Sequence, residues 1–571
     1  MSTQPLAKEN SFAALIQWLT QYQIVPLKSV PVNKSPYHTP STVLSSPSFP
    51  IHPGSSIPID LNLGGLLTGE KQARGWTDRN TTKQCTSFAQ DPATTADQMR
   101  CRPVNIIDTL PDDILLAIFV FCSYRGQSLK ERIEAWQSLV HVCRRWRSIV
   151  FGSPRHLDLQ LVCTTRTRAR DTLDVWPALP LNILCEDEYP AGSVDNIIAV
   201  LERSDRVRVI YLTNIRNSDL ETILPAMRHP FPKLTHLRLA SNDEIVPVVP
   251  DSFLGGSAPR LEYFMSSRIR FPGLPNLLLS ATHFVTLRLE SIPHSGYISP
   301  VAMVTVLSTL TSLETLSLEF QSPRSCPSRE SQRPHPSTRS VLPVLTSFWF
   351  KGTLEYLEDF VARIDTPRLD ALDIIFFNDI VFDTPQFIQF VSRTPMSRTL
   401  EKARITLQDG AAGISFSSQT SRYGEIDVEV LCRGLDWQVS SLEQVCTSCL
   451  PPLSMLEDLY IYKRPHSRLD WKENIGNDIG NDLWIELFRP FIAVKNLYLS
   501  EEFAPHIAPA LQELVAARTT EVLRSLQNMF LEGFESSVSV AESIGQFVTA
   551  RQIAGHPIAI SRWIDSELDK V

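Results

Sequence analysis

The chain has 571 residues, a net charge of −8 and a pI near 5.9. With 43% hydrophobic and 20% charged residues it can bury a sizeable core, which excludes wholesale disorder, and its acidity argues against a general nucleic-acid coat. Proline outnumbers glycine, 41 to 22, which disfavours glycine-built phosphate and dinucleotide cradles. The ten cysteines scatter without a regular framework and read as free thiols of a reducing compartment. No run approaches 18 apolar residues and no signal-peptide pattern opens the chain, so neither a membrane span nor secretion is expected.

Residues 1–103 read as mostly disordered. Ser11–Tyr22 could form one short amphipathic helix, but Ser29–Ile59 is Ser/Pro-rich, and repeated proline blocks helix and central strand alike. The character changes at Pro103. In LPDDILLAIFVFC, Pro111 suits the first helical turn, Asp112 and Asp113 complement the helix dipole, and every residue from Ile114 to Cys122 is apolar. A helix apolar on nearly all sides must be covered on nearly all sides. After a charged insertion (Tyr124–Ala135), Leu139, Val142, Cys143, Trp146 and Ile149 follow 3–4 spacing, with Arg144, Arg145 and Arg147 on the polar side. Two or three short helices are too few to hide both flanks of the first, so the missing cover is the rest of the chain or another protein.

This segment, LPDDILLAIFVFC…LVHVCRRWRSIVFGSP, resembles an F-box, a helical module that docks on the Skp-type adaptor of cullin–RING ubiquitin ligases. The resemblance places the module at 104–153. It implies adaptor-binding roles for Leu110, Pro111, Ile114, Leu115, Ile118, Phe119, Leu139, Val142, Cys143 and Trp146. The longer charged insertion departs from the family pattern. The competing interpretation is an ordinary buried helical hairpin with a core tryptophan.

From residue 154 to 500 an apolar-x-x-apolar-x-apolar string recurs, as in Leu234-Leu237-Leu239, Leu313-Leu316-Leu318 and Val494-Leu497-Leu499. Ten anchors from Val207 to Val494 are spaced by 23 to 38 residues, with one gap of 56 that suggests two units and a hidden strand at Ile426–Leu431. The mean of about 29 falls at the upper end of the leucine-rich-repeat window. Helix-compatible segments lie between anchors: Val194–Glu202, Asp219–Leu224, Val301–Leu310, Leu354–Ile364, Gln386–Ser392 and Leu483–Phe488. The fold class expected is therefore α/β: a short all-α F-box module, then a solenoid with a parallel sheet inside and helices outside. It is similar to the irregular leucine-rich repeats that follow an F-box in fungal proteins of this type, although the family's ladder asparagine is kept at Asn242 and mostly missing elsewhere. Gln321–Arg339 reads as a mobile surface insertion, and 501–571 as a helical cap, on the strength of 3–4 periodicity over Ile507–Phe530.

No enzymatic constellation emerges. Cys446-Thr-Ser-Cys449 lacks a second ligand pair at zinc spacing, and there is no G-x-S-x-G, Walker or G-x-G-x-x-G string. Glu186-Asp187-Glu188 and Arg166, Arg168 and Arg170 read as solvated turns and faces. No cofactor or metal is expected, and no nucleic-acid or membrane partner. The candidate binding surface is the concave face. There, alternation along strands turns out Tyr211, Arg238, Tyr263, Arg288, Trp349, Lys351, Arg404, Tyr460, Tyr462 and Tyr498, the residue types that binding hot spots use. A one-residue misreading of register would invert that list. The function expected is a non-catalytic substrate receptor of a Skp–cullin–F-box ligase, in cytoplasm or nucleus. Its partners would be the adaptor, the cullin–RING ligase and an unknown protein target. A plain leucine-rich interaction scaffold is the alternative.

Overall fold

A computed structural model describes residues 109–563, except for 125–135, 165–167, 186–193, 244–245, 326–337, 378–383, 399, 409, 419–425, 449, 451–452, 454, 464–479, 518–521 and 533–537. Residues 1–103, the Glu186–Glu188 run, Arg166, Cys449 and most of the Gln321–Arg339 insertion lie outside the described residues. The polypeptide opens with helix α1, Asp112–Tyr124, whose first turn holds Asp112 and Asp113; the Leu115 N–H closes on the Pro111 carbonyl at 3.1 Å. The spacing through Leu139 to Ile149 does not form one helix. Residues 136–140 are helical, the chain turns at 141–142, and Cys143 in extended conformation becomes the N-cap of α2, Arg144–Gly152, its Sγ accepting from the Trp146 N–H at 3.5 Å.

A long sheet follows, built of strands β1 (Leu161–Cys163), β2 (Leu181–Cys185), β3 (Val207–Ile215), β4 (His236–Ser241), β5 (Tyr263–Ser267), β6 (Thr286–Ile292) and β7 (Thr315–Phe320). After β8 (Ser340–Val341) come β9 (Ser347–Gly352), β10 (Ile364–Asp365), β11 (Ala371–Phe377), β12 (Lys402–Gln408), β13 (Ala411–Ser417) and β14 (Ile426–Leu431). The last four are β15 (Asp458–Lys463), β16 (Asn496–Leu499), β17 (Asn528–Glu532) and β18 (Ala559–Trp563). Sixteen of these share one sheet, while β8 and β10 pair separately. Parallel neighbours need a crossover, and short helices supply it. They run over Val194–Leu201, Asn217–Ile223, Pro300–Leu307, Leu354–Val361, Pro385–Arg393 and Asn481–Phe488, close to the expected segments. In β4, Leu237 and Leu239 enter the core under those helices while His236 and Arg238 stand on the other face; the same alternation recurs in β9 and β12. The result is an α/β solenoid-like array with one helix-covered face and one open face.

Two features depart from the expected repetition. The sheet order runs β9-β11-β14-β13-β12-β15, so the hidden strand at Ile426–Leu431 exists but pairs with β11 rather than filling the gap before β15. β13 is antiparallel to both its neighbours. The cause is local: Gly410, at φ +82°, stands in the two-residue connection between β12 and β13, and such a connection joins strands as a hairpin. The second departure is at the C-terminal end. A helix does run over Ala504–Ala517, but the helical cap expected through Phe530 stops short, because Met529 and Leu531 are core residues of β17 and a further strand, β18, pairs beyond it. The core is continuous along the array. At the end of β9, a Cβ on Gly352 would fall 2.5 Å from the Phe350 ring, so that packing requires glycine.

Candidate functional site

The first surface is α1. Leu115 and Phe119 point inward and are 1% and 0% exposed. The Phe119 ring lies 4.7 Å from that of Trp146, which is itself half-buried. Leu116 and Val120 also pack on the core, as do Leu110 and Leu139. The opposite flank is less covered: Ile114 is 42% exposed, Ala117 and Cys122 are exposed, and Ile118 and Phe121 are half-buried. Positions 114, 117, 118 and 121 share one helical face. Among the described residues, cover for α1 comes on one flank, and the dividing line runs between Leu115/Phe119 and Ile114/Ile118. Val142, 58% exposed, and Cys143, also exposed, sit in the turn before α2. Arg145 ties this turn to the start of α1: its Nη2 lies 2.6 Å from Asp112 Oδ1 and also donates to the Leu110 carbonyl beside exposed Pro111.

The module is fixed to the array by aromatic residues that the sequence reading left out. Trp136 is buried, donates from Nε1 to the Gln160 carbonyl at 3.0 Å, and meets Trp176 edge-on at 5.2 Å. Phe151 completes the cluster at 6.1 Å from each. Gln160 in turn accepts from Asn182 on β2, and Arg208 on β3 pairs with Asp158 at 3.4 Å.

The second surface is the open face of the sheet. One register row runs Tyr211, Arg238, Met265, Arg288, Ser317, Trp349, Asp373 across β3 to β11, and continues Asp427, Ser415, Arg404, Tyr460, Tyr498, Phe530 through β14, β13, β12, β15, β16 and β17. Seven of the residues expected on this face share the row, with Tyr263 in the row below and Lys351 and Tyr462 in the row above. They differ in availability. Arg288 is exposed and pairs with Glu290 at 2.9 Å; Lys351 pairs with Glu319 at 3.0 Å; Trp349, Tyr263 and Tyr462 are half-buried. Tyr211 packs against Val162, Leu184 and Val209, a small apolar cluster apart from the main core.

Tyr460 is buried. Its ring stacks on Tyr498 at 4.1 Å, Tyr498 stacks on Phe530 at 4.4 Å, and the Trp563 indole meets both tyrosines edge-on. Arg404 stands 6.0 Å over the Tyr460 ring from the other side. Burial pushes both phenols above the usual tyrosine range; Asp458 adds to each, and Tyr498 adds to Tyr460 while Tyr460 eases Tyr498. Below the rings a side-chain ladder runs from Asn528 to Asn496 at 2.7 Å and from Asn496 to Asp458 at 2.6 Å. At the N-terminal side Asn242 donates to Asn214 at 2.9 Å. Among the described residues no group of three or more His, Cys, Asp or Glu side chains is placed to hold a metal ion, and no helix is long and apolar enough to cross a membrane. The six described cysteines are free thiols.

Residues 107–158 match the F-box-like family model, covering α1, α2 and the turn into β1. No curated protein matches the chain.

Proposed function

We propose that the chain is the non-catalytic substrate receptor of a Skp–cullin–F-box type ubiquitin ligase, and that its array is of the leucine-rich-repeat kind. The observation that carries this is the half-covered α1. Among the described residues, Ile114, Ala117 and Ile118 form an apolar stripe outside the core, in the segment that matches the F-box-like model, with Val142 and Cys143 exposed in the turn before α2. Apolar surface left in water gains about 25 cal/mol per Å2 when a partner covers it. A Skp-type adaptor is the partner such modules dock on, and the cullin–RING subunits would follow through it. The open face then holds the target, and the chemistry belongs to the partners: tethering target lysines close to a ubiquitin thioester makes their encounter effectively intramolecular.

The test is reconstitution. The chain, coexpressed with a Skp-type adaptor, should copurify with it in a 1:1 complex and then take up cullin and RING subunits. A chain that stays monomeric and monodisperse with adaptor in excess is an interaction scaffold instead.

A further inference from the structure

Arg238 stands on β4 between Tyr211 of β3 and Met265 of β5. It is half-buried, and its Nε is shut off from solvent with no hydrogen-bond partner. Among the described residues the paired carboxylates of this part of the array are engaged with other cations: Asp158 with Arg208, Glu290 with Arg288, Glu319 with Lys351. The Arg238 Nε–H has lost hydration without gaining a partner, a state that native structures keep rare, and among the described residues no ion pair reaches the guanidinium. Arg288, paired with Glu290, lies two strands away in the same row, and His236, whose charged form burial disfavours, stands two residues earlier on the same face of β4. Arg404 offers the comparison. Its Nε is equally unpartnered, but its guanidinium faces the Tyr460 ring, which a cation–π contact satisfies.

We infer that Arg238 receives an acidic side chain of the target, presented by an extended segment that crosses the strands. This rests on the reading that the open face holds the target, and adds what the face selects. The planar guanidinium offers paired N–H donors in a fork that matches a carboxylate. Tyr211 flanks it in the same row, and Tyr263, stacked on His236 at 5.8 Å, gives the segment a flat wall one row below. The partner is therefore a protein segment with a fixed Asp or Glu, rather than a purely apolar or a basic one.

The experiment uses the full chain bound to its adaptor and a displayed library of random decapeptides. Enriched peptides should share an Asp or Glu at one position. Changing it to the matching amide should weaken binding about 10- to 100-fold, the size of a charge-assisted pair. The same change should have little effect on Arg238→Gln, as a double-mutant cycle requires. Because the amide change is made in the peptide, its result is independent of whether Arg238→Gln folds; a melting curve checks the variant. No enrichment, enrichment without a shared acid, or equal weakening by the amide in both proteins would overturn the inference. Adaptor capture, read in parallel, separates the outcomes: a complex that forms but shows no acid preference overturns the role of Arg238 alone, whereas a chain that never captures adaptor overturns the docking reading.

Discussion

Truncating Ile114 and Val142 together to alanine should separate docking from folding. Full burial of a large aliphatic side chain is worth about 1.5–3 kcal/mol. Ile114 and Val142 keep 42% and 58% of their surface in water, so about half of that, ~1 kcal/mol each, is still to be gained when a partner covers them. Losing both should weaken the adaptor complex by ~2 kcal/mol, roughly 30-fold in Kd. Exposed positions of this kind usually change fold stability by no more than about 0.5 kcal/mol. Leu115→Ala and Phe119→Ala invert the pattern: both side chains lie inside the core, and emptying such sites costs about 2–5 kcal/mol of stability. Titration calorimetry against a Skp-type adaptor, with thermal melts of the four free proteins, reads both quantities. A double variant that binds adaptor as well as the parent, or melts as early as Leu115→Ala, would refute the division of α1 into a covered and an open flank.

Three further outcomes are expected. Glu358 is buried and accepts from the Gln386 and Phe387 N–H groups at 3.0 and 2.7 Å, capping the helix Pro385–Arg393 from the preceding helix; Glu358→Ala should cost about 2–3 kcal/mol in denaturant melts, and Glu358→Gln clearly less. The Cys163 thiol is pushed up from 9.0 to about 11 by burial, with Arg206 opposing. Its neutral form is therefore favoured in the fold, and the associated stability is fully present below pH 9 and lost as pH rises toward 11; Cys163→Ala should flatten that part of a stability–pH curve, and an unchanged slope would exclude the thiol as its source. Trp136→Phe keeps most of the apolar body but removes the donor to Gln160, leaving a buried carbonyl short of a partner; a loss of about 1–2 kcal/mol and faster amide exchange in α1 and α2 than in β9 are expected.

The alternation of the strands was readable because each buried residue in strings such as Leu234-Leu237-Leu239 enforces the face of its neighbours, and sheet period leaves no intermediate solution. The reversal at β12–β14 was written in the sequence too, as Asp409-Gly410 between two alternating runs, a hairpin signature that the wider repeat spacing obscured. Likewise Leu526-Met529-Leu531 repeats the strand string, although the preceding 3–4 spacing through Leu511 and Leu514 suggested one longer helix. In α1 an all-apolar run carries no periodicity, so composition could say that cover was needed but not which flank the chain itself provides; only Trp146 and the Trp136–Trp176 cluster decide that. The unpartnered state of Arg238 was illegible for a different reason. Which carboxylates are engaged elsewhere depends on side chains of separate strands, from β3 to β9, and no string encodes it.

The strand order around β13 bears on how the array assembles. A solenoid of successive parallel units can grow by adding each new strand to the last one placed. Here the strand that completes the edge of β11 is β14, which is made after β12 and β13, so growth from the N-terminal side must pause with β11 unpaired until the whole hairpin has been synthesised. β15 then extends from β12, on the far side of that hairpin. Across the described strands the array is two runs of repeats joined at a seam, where neither run can finish its edge without the other.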